Sequence, residues 1–242
     1  MKRGQVTLYA IIAILLVVAV GILVYTQRQN LGLSYIPVDV RPVNDAIVNC
    51  LTSTSENGIY LIGMQGGYIN LPSKVFETNL SFVGYGYYTG QKLLPPLIEI
   101  QNELDNYIEL MLPKCFDTEK FNDFEFSFGE ISSKSEIMED FISINVQWPV
   151  TAKRTSQYNL NKFSAKISTR LGKIYNITDT IISKEIENPE MIDLEYLISI
   201  HDKEDISIDF FSYPDTIVYS LYDPKSIINQ RPFIFLFANK FK

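Results

Sequence analysis

The sequence has little of the side chains on which metal sites and many catalytic sites depend. Its 242 residues include one histidine, His201, and two cysteines, Cys50 and Cys115. The cysteines form no C-x-x-C pair, and one histidine cannot complete a zinc site with them, so we predict no metal site. The chain also lacks a G-x-S-x-G elbow and a phosphate-binding loop. We therefore predict no catalytic residue and no cofactor, and the sequence favours a protein that is not an enzyme without deciding the question.

Basic residues are also in short supply. Lysine and arginine together number 21 against 28 aspartates and glutamates, which gives a net charge of −7. Lys2, Arg3 and Arg28 are the only charged residues among the first 38, so the rest of the chain is more acidic still, at about −10. An acidic surface repels phosphate backbones, and this excludes nucleic acid as a predicted partner.

One long apolar run stands out, from Val6 to Tyr25. Twenty helical residues span about 30 Å, the thickness of the bilayer core, whereas a cleavable signal has an apolar stretch of only 7–15 residues. We therefore predict a cytoplasmic tip at 1–5, an uncleaved transmembrane helix at 6–25 and a spacer at 26–42. Lys2 and Arg3 outweigh Arg28, so the positive-inside rule predicts a single-pass protein of the cell membrane with a cytoplasmic N-terminus and an extracytoplasmic domain.

The segment "KRGQ" before this run permits a second interpretation. A basic pair, then Gly4 and Gln5, then an apolar stretch resembles the class III signal peptides of archaeal type IV pilins. The resemblance implies cleavage after Gly4, a mature N-terminus at Gln5 and assembly into a filament. Many pilins have a glutamate where this chain has Tyr9. The overall layout also resembles single-pass surface proteins of archaea.

Residues 43–242 alternate between two periodicities. Helical spacing predicts helices at 43–56 and after Pro95-Pro96, and again from 171 to 201 with a break at Pro189. Period-two alternation predicts strands in "FEFSFGEI", "FISINVQWPV" and "FSAKISTRL" and in the C-terminal tail, with polar turns at Ser132–Ser135 and Lys153–Gln157 and a turn at "DPKS". Segregated helices and strands of this kind predict an α+β fold with a mainly antiparallel sheet. We predict one domain over 43–242, or alternatively two lobes joined near 118–123.

The two cysteines suggest a covalent link. An even number of cysteines in a segment predicted to be extracytoplasmic favours one disulfide, Cys50–Cys115, which would clip the first two helices of the domain together. Two buried free thiols are the alternative.

Candidate binding residues are tyrosines. Tyr68, Tyr85, Tyr87 and Tyr88 lie close in sequence around two predicted strands, and tyrosines offer flat apolar area with a hydroxyl for sugars or peptides. The alternative is that these rings pack in the core or at its rim. For the single tryptophan, Trp148, we predict a structural role at a sheet edge.

Two triplets match the pattern for N-glycosylation, at Asn79 ("NLS") and Asn176 ("NIT"). They agree with an extracytoplasmic location but are short enough to arise by chance.

These observations predict a membrane-anchored structural or binding protein of the cell surface, held in the membrane by Val6–Tyr25 and contacting a protein or glycan partner. The alternatives are a pilin-like filament subunit processed after Gly4 and a membrane-tethered hydrolase that uses acidic residues.

Overall fold

The computed structural model describes residues 13–18, 20–21, 36–78, 81–189 and 191–241. The chain forms two compact units, Met1–Arg41 and Pro42–Lys242.

The predicted transmembrane helix falls in the first unit. Of the predicted segment 6–25, residues 13–18 and 20–21 are described and are helical, and the others lie outside the described residues. Within the described residues, no helix combines the length and the apolar character that a membrane crossing needs. This finding contradicts the predicted helix at 6–25, the signal-anchor and the single-pass location with an extracytoplasmic domain.

From residue 41 onward, the described chain contains four α-helices. Two helix boundaries lie at prolines, which cannot donate a backbone hydrogen bond: Pro96 precedes the second helix, and the third and fourth are separated around Pro189, as predicted. In the second helix, Ile100, Leu104 and Ile108 are fully buried at four-residue spacing, which gives the helix one apolar face. The helices are α1 (Arg41–Met64), α2 (Leu97–Cys115), α3 (Leu171–Glu187) and α4 (Leu194–Glu204).

The same part of the chain contains ten strands in two sheets. They are β1 (Val75–Glu77), β2 (Phe82–Tyr88), β3 (Gln91–Lys92), β4 (Glu125–Phe128), β5 (Ser132–Ile137), β6 (Ile142–Lys153), β7 (Gln157–Ile167), β8 (Ser207–Ser212), β9 (Thr216–Ile228) and β10 (Arg231–Lys240).

The first sheet has the order β1-β2-β10-β9-β8, with β3 added to β2. Its neighbours are antiparallel except β2 and β10, which run parallel. Helix α1 approaches β10 so closely that a Cβ added to Gly63 would lie 2.3 Å from the Ile234 carbonyl oxygen. Four fully buried aromatic rings of the central strands fill the core of this sheet: Tyr219, Phe233, Phe235 and Phe237.

The second sheet is built around β6. Strand β7 pairs with the whole length of β6 on one side, and β4 and β5 share the other side end to end. The register between β6 and β7 shifts between Gln147 and Val150, so Trp148 and Pro149 lie in a bulge. The second unit is therefore α+β and mainly antiparallel, as the sequence predicted.

Two of the predicted turns are wrong. Residues Ser132–Ser135 belong to β5, and "DPKS" lies inside β9, where the register against β10 is irregular beside Asp223. The chain turns instead at Asn229 and Gln230, whose φ values are 50° and 63°. The polar composition of both segments suggested turns, but several of their side chains bind other parts of the chain: Ser133, Ser135, Asp223 and Ser226.

The predicted disulfide is confirmed, and the alternative of free thiols is wrong. Cys50 of α1 and Cys115 at the end of α2 are bonded, with their Cα atoms 5.7 Å apart. The bond links two helices across 65 residues of sequence.

Candidate functional site

Aromatic side chains cluster where α2, β4 and β6 meet. Alternation along β4 puts Phe126 and Phe128 on one face of the strand, with their ring centroids 6.0 Å apart and their planes nearly parallel at 9°. The ring of Phe128 stacks on Trp148 at 5.3 Å and 18°. Phe116, one residue beyond α2, meets Trp148 edge-on at 6.2 Å.

This cluster forms one wall of an open cleft of about 650 Å³, which we call the aromatic cleft. Phe128 is 47% exposed, whereas Trp148 beneath it is 2% exposed. The Phe128 ring therefore has one face open to solvent and the other packed on the buried ring of Trp148. Eight residues line the cleft: Pro113, Phe116, Thr118, Phe128, Gly129, Glu130, Ile131 and Trp148.

The backbone at the cleft depends on a glycine. The Gly129 N–H donates to the Pro149 carbonyl oxygen at 2.8 Å, and a Cβ on Gly129 would lie 3.0 Å from the Pro149 ring. The loop after β4 therefore packs directly on the bulge that carries Trp148.

Among the described residues that line the aromatic cleft, Glu130 has the only charged side chain. It is exposed, and among the residues that the structure describes no basic side chain forms an ion pair with it. The cleft thus combines apolar aromatic surface with one unpaired negative charge.

The four predicted tyrosines lie on or near β2 and do not share one set of contacts. Tyr85 and Tyr88 are in ring contact at 4.9 Å, and Tyr85 is only 7% exposed. The ring of Tyr87 lies 5.2 Å from that of Phe241. The Tyr68 hydroxyl donates to the Leu93 carbonyl oxygen at 2.6 Å, and burial raises the pKa of this hydroxyl.

The other predicted modification residues lie partly outside the described part of the chain. Gly4, Gln5 and Asn79 are outside the described residues. Asn176 is exposed on α3, while Thr178 of the same triplet is fully buried. Glycosylation and processing stay predictions.

A buried carboxyl group lies between α3 and the first sheet. Glu185 is 4% exposed, and it accepts hydrogen bonds from the Tyr219 hydroxyl and, at 2.6 Å, from the Asn239 amide. Burial raises the pKa of Glu185 despite these two donors, and burial next to Glu185 also raises the pKa of Tyr219. This group is closed off from solvent and serves the packing of the core.

A second buried network joins α3, α4 and β9. The guanidinium of Arg170 binds both carboxylate oxygens of Asp223 and donates to the Glu204 carbonyl oxygen at 2.7 Å. Burial acts to raise the pKa of Asp223, but hydrogen bonds from Arg170, Ser226 and the Lys225 N–H outweigh it, so this pKa lies below its usual value. Asp223 is the first residue of the "DPKS" segment, which explains why that segment is not a solvated turn.

Within the described ranges, no three histidine, cysteine, aspartate or glutamate side chains are grouped so that they could hold a metal ion. The exposed His201 lies in the last turn of α4, with its Nδ1 3.5 Å from the Ser207 hydroxyl.

Sequence reasoning did not single out Phe128 and Glu130 as candidate binding residues. The available signal was the alternation in "FEFSFGE", which places aromatic rings on one strand face and an acid two residues after the last ring. The rings alone indicated a core strand. Only the pairing of β4 beside the bulge shows that Phe128 remains half exposed.

Comparisons of the chain with protein-family models, with curated proteins and with solved structures gave no match.

Proposed function

We propose that this protein is a binding module that takes an extended, basic segment of a protein partner in its aromatic cleft. An apolar side chain of that segment packs on Phe128, and a lysine or arginine near it pairs with Glu130. The exposed ring of Phe128, stacked on buried Trp148 beside an unpaired carboxylate, is the observation that carries the proposal.

The size and lining of the aromatic cleft support a binding role. Ligand sites typically occupy about 300–1,000 Å³ and combine aromatic walls with few polar groups, and this cleft has about 650 Å³ with Glu130 as its one charge. Aromatic residues are enriched at protein interfaces because they bury much area with few rotatable bonds. Trp148 also fixes the Phe128 ring before a partner arrives, which lowers the entropy lost on binding.

Charge supports a basic partner over an acidic one. The chain carries −7 overall, and the carboxylate of Glu130 has no intramolecular ion pair among the described residues. An acidic surface attracts basic segments and raises their rate of association, most strongly at low salt. A partner with a cation near its apolar anchor therefore fits this site.

Trp148 gives a direct test, because it is the only tryptophan in the chain. We expect its fluorescence to change saturably with peptides in which lysine or arginine stands two positions from phenylalanine or leucine. Peptides with glutamate in place of the basic residue should bind more weakly, and the difference should shrink as salt is added.

Variants of the aromatic cleft make the test specific. Phe128→Ala should weaken binding about 30-fold, since losing an aromatic anchor costs about 2 kcal/mol or more. Glu130→Gln should remove the preference for basic peptides while leaving the apolar contact. Phe82→Ala is the matched control, because Phe82 is 46% exposed on β2 and does not line the cleft. Equal binding by wild type and Phe128→Ala would refute the proposal.

The filament subunit and the hydrolase stay predictions. The filament depends on Gly4 and Gln5, which lie outside the described residues, and N-terminal sequencing of the native protein tests it.

A further inference from the structure

A second pocket, of about 330 Å³, lies between α1 and the β9–β10 hairpin. Tyr60 and Met64 of α1 form one wall, Tyr222, Phe233 and Ile234 form the other, and Arg231 stands at the start of β10. We call it the hairpin pocket. It shares no lining residue with the aromatic cleft.

The fold holds the two walls of the hairpin pocket in place. Gly63 lets α1 lie directly against the backbone of Ile234, where a Cβ would clash at 2.3 Å. At the hairpin turn, the Asn229 amide donates to the Asn57 side-chain oxygen of α1 at 3.0 Å. Helix and hairpin are therefore fixed to each other on both sides of the pocket, which makes the pocket a feature of the folded state.

Of the described residues that line the hairpin pocket, only Arg231 is charged. Its side chain is exposed, and within the described ranges no carboxylate forms an ion pair with it, although the chain as a whole carries −7. A guanidinium presents several donors in a planar fork that matches a carboxylate. In the part of the chain that the structure describes, no acidic side chain lines the pocket to compete for it.

The apolar walls determine the rest of the ligand. Tyr60 and Tyr222, 42% and 38% exposed, leave apolar ring area open to solvent that a bound molecule would cover. Burying an apolar chain there is favourable, and the single cation neutralises a single anionic head group.

From this combination we infer that the hairpin pocket binds a small apolar monocarboxylate, such as a fatty acid, with its alkyl chain against Tyr60 and Tyr222 and its carboxylate on Arg231. The inference is independent of the proposed peptide site, because the two sites lie on different elements.

Calorimetric titration of the full chain with decanoate and with decanol tests it. The two probes share an alkyl chain and differ in the carboxylate. We expect decanoate to bind at least tenfold more tightly than decanol. Arg231→Gln should bring the affinity for decanoate down to that for decanol and leave decanol unchanged.

Two further variants separate the ligand contact from folding. Tyr60→Ala should weaken both probes, because it removes apolar wall. Lys162→Gln, an exposed lysine on β7, should change neither and controls for net charge. The urea midpoint of each variant should match wild type, since all three side chains are exposed.

Several outcomes would overturn the inference. Equal affinity of wild type for decanoate and decanol would show that the pocket does not recognise the carboxylate. Unchanged binding of decanoate by Arg231→Gln would show that Arg231 does not bind it. Stronger binding of a short peptide with a free apolar C-terminus than of its amide and of decanoate would assign the pocket to a protein terminus.

Discussion

Individual buried polar side chains hold this protein together at points that its sequence does not reveal. Glu185 is the clearest case: its neighbours in sequence resemble any amphipathic helix, yet its carboxyl group meets Tyr219 and Asn239 in the core. The Asn239 side-chain oxygen has no hydrogen-bond partner in the described part of the chain. A protonated Glu185 can donate a hydrogen bond to the oxygen of the Tyr219 or the Asn239 side chain, which is consistent with the raised pKa of this carboxyl.

The raised pKa makes a prediction about stability and pH. A carboxyl group whose pKa is higher in the folded state binds its proton more tightly there. Its contribution to stability is complete below the unfolded-state pKa, about 4.5, and is lost as pH rises through the folded-state pKa. Glu185→Gln removes this titration. The free energy of unfolding of the variant minus that of wild type should therefore increase as the pH rises from 4.5 to 8.

Urea unfolding across that pH range checks the prediction. Glu185→Ala is the contrasting variant: it leaves the Tyr219 and Asn239 donors unsatisfied and should cost about 1–3 kcal/mol for each. A constant difference between Glu185→Gln and wild type at all pH values would contradict the assignment of the raised pKa to this group.

At the scale of elements, the side chains of one face of α2 recur at nearly the same distance as the free backbone groups along β5. The outward N–H groups of β5 occur at every second residue, and the N–H groups of Ser133 and Ile137 donate to side chains of Glu109 and Gln101 at 2.7 and 3.2 Å. Between them on the helix, Asp105 accepts from the Ser133 hydroxyl at 3.0 Å. Four helical residues rise about 6.0 Å and two strand residues about 6.6 Å, so each turn of the helix meets the next free group of the strand.

This match explains what the sequence could and could not predict. Apolar spacing and proline placed the helices, and alternation placed β4, β6 and β7, because those signals are local. The serines of β5 carry a turn-like composition, and they form a strand because their backbone pairs with distant β6 while Ser133 and Ser135 bind α2. The aromatic cleft was missed for the same reason, since the exposure of Phe128 depends on a bulge in another strand.

The helix–strand match can be tested at Glu109. Glu109→Gln keeps an oxygen for the Ser133 N–H and should cost less than 1 kcal/mol. Glu109→Ala leaves that N–H without its partner and should lower the free energy of unfolding by about 1–3 kcal/mol.

Denaturant unfolding of both variants provides the measurement. Asn106→Ala, at an exposed position on the same helix, controls for the change in helix propensity. Equal losses for Glu109→Ala and Asn106→Ala would show that the contact with Ser133 contributes nothing.

At the scale of the whole molecule, the Cys50–Cys115 bond covalently links two residues that are 65 positions apart in the sequence. In the chain-entropy model a loop of this length stabilises the fold by about 4 kcal/mol, and native disulfides typically contribute about 2–4 kcal/mol. The bond ties α1, which packs on the first sheet, to α2, which packs on the second.

We therefore expect Cys50→Ser with Cys115→Ser to lower the free energy of unfolding by about 2–4 kcal/mol in urea titrations. Wild type in a thiol reductant should approach the same midpoint, and the double variant should not respond to reductant. A wild-type midpoint that is insensitive to full reduction, verified by thiol counting, would contradict this expectation.

The position of β10 has a consequence for how the protein is made. It lies between β2 and β9 in the first sheet, yet it follows every other strand in the chain. During synthesis, β2 therefore cannot pair with β10, its parallel neighbour, until residues up to Lys240 have left the ribosome. Strand edges exposed in this way are prone to misassociation. Until then β2 can pair with its sequence neighbours β1 and β3, while the edge that receives β10 stays open.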